Sequence, residues 1–176
     1  MRGRAWLSGL VVTLGLVTGL LAGPAPTLAA VSVPPGFTDQ LVTVVQRPEA
    51  LAWTPNGRML IANHQGFVYV YQNGALRQNP AIDLRAKMCR SVEWGLNGLA
   101  LDPDFASNHY VYLYYTFNKF NSCATDDPSS PVNRVSRFTL GNNNVIDPLS
   151  EYVVVDGIQD PDGFHAAGCA IRAYSG

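Results

Sequence analysis

From Leu41 onward the chain is a series of short runs in which β-branched and aromatic side chains either alternate with polar ones or stand together. They are LVTVVQ from Leu41, ALAW from Ala50, RMLIAN from Arg58, FVYVYQ from Phe67, GLAL from Gly98, YVYLYYT from Tyr110, NRVSRFTL from Asn133 and YVVV from Tyr152. A period of two places successive side chains on opposite faces of an extended backbone, so each run predicts a strand rather than a helix. Pro55-Asn56-Gly57, Asn73-Gly74, Pro103-Asp104 and Gly141-Asn142-Asn143-Asn144 separate the runs. Each has a local reason to turn: glycine and asparagine accept positive φ, proline presets φ, and Asp and Asn side chains bond the backbone two residues on. The pattern predicts an all-β meander, with antiparallel sheets over residues 41–71 and 98–155. Past the N-terminal stretch it predicts no helix longer than about two turns.

The strands also repeat. LAWTPNG from Leu51 aligns with LALDPDF from Leu99 at an offset of 48 residues, which matches Leu51 to Leu99, Ala52 to Ala100 and Pro55 to Pro103. After each copy come a strand of aliphatic or tyrosine residues (MLIAN; YVYLYY) and an outer strand (FVYVYQ; RVSRFTL). Propeller blades are four-stranded units of about 40 to 50 residues, so the period and the internal order both predict a β-propeller. A β-sandwich has the same strand spacing and stays open as the alternative on pattern alone.

Residues 1–29 have a different layout. Arg2 and Arg4 precede an apolar stretch over residues 6–22, and the small-residue run GPAPTLAA follows. That is the three-part organisation of a secretory signal peptide, with cleavage after Ala29 or Ala30. A membrane anchor fits less well, because the stretch holds Gly9, Gly15 and Gly19 and no stop-transfer charges follow it. The expectation is a secreted protein with no stable membrane association. Losing the two arginines leaves 10 basic against 13 acidic residues, a net charge near −3 that gives no electrostatic footprint for nucleic acid. An oxidising compartment permits disulfides. Of the three cysteines, Cys89 precedes the second strand-rich unit and Cys123 lies in the polar insertion within it, so their pairing would clamp a loop and leave Cys169 free.

Few residues stand out for chemistry. Gly95 and Gly98 flank Leu96 and Asn97 at a strand entry, where a missing Cβ lets a neighbour approach closely. Asp102 before Pro103 predicts an Asx-type turn, with Phe105 packing that turn onto the blade. Glu93 is a charge just ahead of an apolar inner strand and points toward the central channel. His64 and His109 read as solvated or locally hydrogen-bonded turn residues. Asp126-Asp127 sits in a Ser/Pro-rich loop without the spacing of a calcium site, so no metal ligand is assigned there.

The stretch EWGLNGLALDPDFASNHYVYLYYT, beginning at Glu93, resembles the pattern E-x-G-L-x-G-x-A-x-D-P-x-F-x-x-N-x-x-V-Y-x-x-Y-T of the glucose/sorbosone dehydrogenases. PPGF at Pro34, ALAWTPNGRMLIANHQGFVYV at Ala50 and PVNRVSRFTL at Pro131 extend the resemblance over nearly the whole chain to about Gly168. It implies a six-bladed propeller over residues 30–176, present here as about two blades and a stub. It further implies oxidation of a sugar or polyol with pyrroloquinoline quinone (PQQ), calcium and an onward electron acceptor. DGFHAAG from Asp162 resembles the family's H-x-x-G, whose histidine takes the hydroxyl proton, which makes His165 the candidate catalytic base. Glu93 stands where well-characterised relatives carry a substrate-touching glutamine, and Phe164 where many carry a polar or acidic residue. These two departures keep a non-catalytic extracellular ligand-binding propeller as the second reading. The family's next turn and strand are not found in CAIRAYSG, and most of its quinone and calcium ligands come from later blades. The expectation is therefore an inactive fragment.

Overall fold

The computed structural model describes residues 32–126, 128–164 and 166. The predicted signal peptide, Asp127, His165 and Cys169 lie outside the described residues. The chain divides into two units, residues 1–39 and 40–176. In the first, Phe37 N donates to Pro34 O at 3.1 Å and Gly36 takes φ +87°. That is the type II turn a Pro-Gly pair favours.

The second unit holds two antiparallel sheets. One contains β1 (Pro48–Trp53), β2 (Met59–Asn63) and β3 (Phe67–Gln72), with β3's outer edge shared by β4 (Ala75–Leu76) and β5 (Ile82–Asp83). The other contains β6 (Leu96–Leu101), β7 (Tyr110–Phe117), β8 (Val132–Leu140) and β9 (Ile146–Gln159), in that order. A single helical turn, α1 (Phe105–Asn108), joins β6 to β7. Apart from β5, which returns to pair with β3, neighbouring strands in each sheet are also successive in sequence, and no strand crosses to the other sheet. This is blade topology; a Greek-key sandwich would exchange strands between its sheets. Both ends of β6 lie 48 residues beyond those of β1, so the sequence repeat is a structural one.

The two blades share one core. Leu60, Val68 and Val70 of the first meet Leu99, Val111, Leu113 and Phe138 of the second, all buried. Arg58 pins the blades together: its buried guanidinium donates from Nη1 to Gly141 O and Asn144 Oδ1, both at 3.1 Å. The second blade also encloses a polar nest, where Glu151 accepts from Tyr115 OH (2.6 Å), Ser136 Oγ (2.8 Å) and Lys87 Nζ. Burial opposes the ionised Glu151 carboxylate, but these three donors outweigh it and hold its pKa below the ordinary value. Burial, reinforced by Glu151, pushes the Tyr115 phenol up.

Cys89 and Cys123 are joined as expected, with Cα atoms 5.6 Å apart. LVTVVQ, by contrast, is not a strand: the first sheet starts at Pro48, and Leu41, Val42 and Val44 are exposed. Among the described residues no strand lies alongside it to take up its backbone groups.

Candidate functional site

Each inner strand is interrupted at the same place. In β1 Pro48 pairs with Asn63 and Ala50 with Ala62, which leaves Glu49 unmatched. In β6 Leu96 pairs with Tyr115 and Gly98 with Tyr114, which leaves Asn97 unmatched. The bulged residues are again 48 apart. A bulge turns a side chain out of the alternating pattern and is a common device for aiming residues at a site. Here Glu49 and Asn97 both face a cleft of about 460 Å³, which Arg47, His64, Glu93 and Ala166 also line.

His64 lies in the turn after β2, but it is neither solvated nor locally bonded: it is buried, with only 2% of its surface exposed. Its Nε2 donates to Ser91 O at 3.0 Å, and its Nδ1 lies 3.4 Å from Glu49 Oε1. Its backbone carbonyl accepts from Leu96 N at 3.3 Å. The reason for Gly95 is now visible: a Cβ there would stand 2.7 Å from both the carbonyl oxygen and the ring of His64. Gly98 is close in the same way, since its Cβ would come within 3.0 Å of Tyr114 Cβ. Nothing local in IANHQG signals the burial of His64, because its covering comes from residues 91–96. His109 is the C-cap of α1, with φ +59° and its ring stacked on Phe105 at 5.6 Å.

Glu93 is partly buried at the cleft, and its carbonyl accepts from Asn97 Nδ2 at 2.8 Å. The same amide donates to Ala166 O at 2.6 Å. Behind the cleft, buried Trp94 donates from Nε1 to Asp160 Oδ2 at 3.2 Å, and Asn133 donates to the same oxygen at 3.2 Å. Asn133 Oδ1 accepts from Thr116 Oγ1, which in turn accepts from Gly95 N. Burial, aided by neighbouring Asp162, raises the Asp160 pKa against the lowering effect of those donors. This network seats Asp160 and Ala166 against residues 93–97. Phe164 is exposed and its N–H donates to Asp162 Oδ1 at 3.1 Å. His165 itself lies outside the described residues, between Phe164 and Ala166 in the chain.

Asp102 makes the predicted turn, accepting from Asp104 N at 2.9 Å, Asn108 Nδ2 at 2.8 Å and Tyr112 OH at 2.7 Å, while Phe105 is buried beneath it. Among the described residues no three His, Cys, Asp or Glu side chains converge where a metal ion could sit. None of their helices is long and apolar enough to cross a membrane.

Successive antiparallel blades, of five and four strands, with a polar cleft at their bulged inner strands define a propeller of the sugar dehydrogenase type. Residues 45–166 match the family model for glucose/sorbosone dehydrogenase, and the chain belongs to that family. Among solved structures it resembles a candidate oxidoreductase (glucose dehydrogenase) of Thermus thermophilus, at 34% identity and a TM-score of 0.56 over 72% of this chain and 34% of that one. It shares its fold with the PQQ-bound aldose sugar dehydrogenase of Streptomyces coelicolor, at 24% identity and a TM-score of 0.51 over 64% of this chain and 31% of that one. An uncharacterized protein of Synechocystis is 30% identical over 79 residues, 41% of this chain and 19% of its own length. The chain thus spans about a third of the length of the solved relatives.

Proposed function

We propose that the protein oxidises a sugar or related polyol, and that the cleft of this chain receives the hydroxyl-bearing substrate. One observation carries this reading: Glu93 and Asn97, both inside the segment matched to the family, line a polar cleft with Ala166, the chain neighbour of His165. The Glu93 carboxylate and the Asn97 amide oxygen can both accept from sugar hydroxyls. His165 is the general base. A neutral imidazole, whose unperturbed pKa is about 6.5, takes the hydroxyl proton as the carbon gives up its hydride to an acceptor.

PQQ, which the Streptomyces relative binds, and calcium belong to this proposal as partners of the whole protein. The described residues do not fit the quinone. The quinone carries several carboxylates, whereas the cleft sets Glu49 and Glu93 against the single guanidinium of Arg47. This chain's contribution therefore lies on the substrate side of the reaction. Export belongs to the same proposal, supported by the signal-peptide layout of residues 1–29 and by a disulfide suited to an oxidising compartment.

The test is sugar-dependent dye reduction with PQQ and calcium, by the chain alone and by the chain joined to the part of the Thermus relative that it does not cover. Activity is expected only in the joined protein, and His165→Ala should lower it by about 10² to 10⁴-fold. Full activity in that variant would return His165 to the role of a turn residue. No sugar oxidation in the joined protein would favour a non-catalytic ligand-binding propeller, the reading to which the exposed Phe164 points.

A further inference from the structure

The cleft is held in shape by a side chain to which the family pattern, with its x at that place, gives no part. Asn97 leaves the β6 ladder through the bulge between Leu96 and Gly98. Its amide nitrogen donates to two carbonyls, Glu93 O at 2.8 Å and Ala166 O at 2.6 Å. The first bond closes a tight turn four residues back. The second spans 69 residues of sequence. Ala166 is fully buried and packs with Cys89 and Trp94, so this bond fixes a backbone atom at the end of a segment that Trp94 and Asn133 already hold through Asp160.

We propose that Asn97 is a positioning residue, whose single amide group locks the carbonyls of Glu93 and Ala166 together and so sets the spacing of the two chain segments that line the cleft at Glu93 and at Ala166. The inference rests on the reading that this cleft receives the substrate. Its physical basis is the donor itself. Two carbonyl oxygens repel unless a hydrogen-bond donor stands between them, and a side-chain NH₂ supplies two protons from one atom.

The test uses amide hydrogen exchange on the full chain. Asn97→Asp has nearly the same shape but presents only acceptor oxygens at neutral pH, which turns the clamp into a repulsion. Exchange in residues 160–166 and 91–97 should rise about tenfold or more, while residues 111–115 in β7 keep their protection. Asn97→Gln keeps the donor and should restore most of the lost protection. The proposal is overturned if Asn97→Asp leaves residues 160–166 unchanged, if Asn97→Gln loosens them as much, or if protection falls evenly over both sheets. D-glucose, added to each variant as a probe, separates this inference from the functional reading. Slowed exchange in residues 91–97 of the wild type and of Asn97→Gln, but not of Asn97→Asp, supports both. A wild type that ignores D-glucose counts against the sugar reading and leaves the clamp to be decided by the exchange pattern.

Discussion

A methyl group at Gly95 would collide with a backbone oxygen and an imidazole that are both already fixed, so Gly95→Ala must push β6 away from His64. The expected cost is about 1–3 kcal/mol, read from urea unfolding. Two carboxylates held within the second blade should respond to pH in opposite directions. Glu151 has its pKa lowered in the fold, so its contribution is complete above the unfolded value, about 4.3, and is lost as the pH falls through the lower folded one. Glu151→Gln should therefore flatten the acid side of the stability profile and cost about 1–3 kcal/mol at pH 7, because Lys87 loses its partner. Asp160 has its pKa raised, so its ionised form burdens the fold and stability is gained as the pH drops through the folded value. Asp160→Asn keeps an acceptor for Trp94 and Asn133 and should leave stability at pH 7 unchanged or higher. At this scale Asp102 was legible because its constraint is local, and Gly95 because a glycine at a strand entry signals a close approach, though not that the neighbour is His64 of the other blade. His64 was not, since its burial depends on residues far along the chain.

Among the elements, β1 to β3 and β6 to β9 form where the predicted runs lie, although β9 extends well beyond YVVV, over Ile146–Gln159. β4 and β5 went unseen because two residues make no period. LVTVVQ has the composition of a strand, yet a strand exists only through a ladder partner. The bulges at Glu49 and Asn97 were equally hidden, for they are properties of a pairing rather than of a strand. The disulfide acts at this scale, tying the insertion between β7 and β8 to the linker ahead of β6. Its separation of 34 residues implies about 3–4 kcal/mol of loop-closure stabilisation. Replacing both cysteines by alanine should lower the unfolding free energy by that amount, as measured by denaturant titration, with β-rich circular dichroism retained.

For the molecule as a whole, burial is uneven. The face shared by the blades is tightly packed, whereas Leu51 and Trp53 on β1 and Tyr152, Val153, Val154 and Val155 on β9 are exposed. β9 is also the edge of its sheet. An apolar edge strand invites pairing with another chain. Changing Val153 and Val155 to lysine should raise the soluble concentration of the described unit severalfold in a light-scattering assay, and an unchanged aggregation onset would locate the attractive surface elsewhere.

The all-β class, the repeat length, the strand order within each blade and the cysteine pair were legible in the sequence alone, because period, turn chemistry and the place of a cysteine in a loop act on neighbouring residues or on simple counts. The cleft was decided only by tertiary structure. Glu49 and Glu93 belong to different blades, His64 reaches them from the end of β2, and Asn97 joins Glu93 to Ala166. No spacing along the chain announces that meeting, since it depends on two bulges whose register is set by the partner strands and on a buried network that brings Asp160 and Ala166 back onto the inner strand.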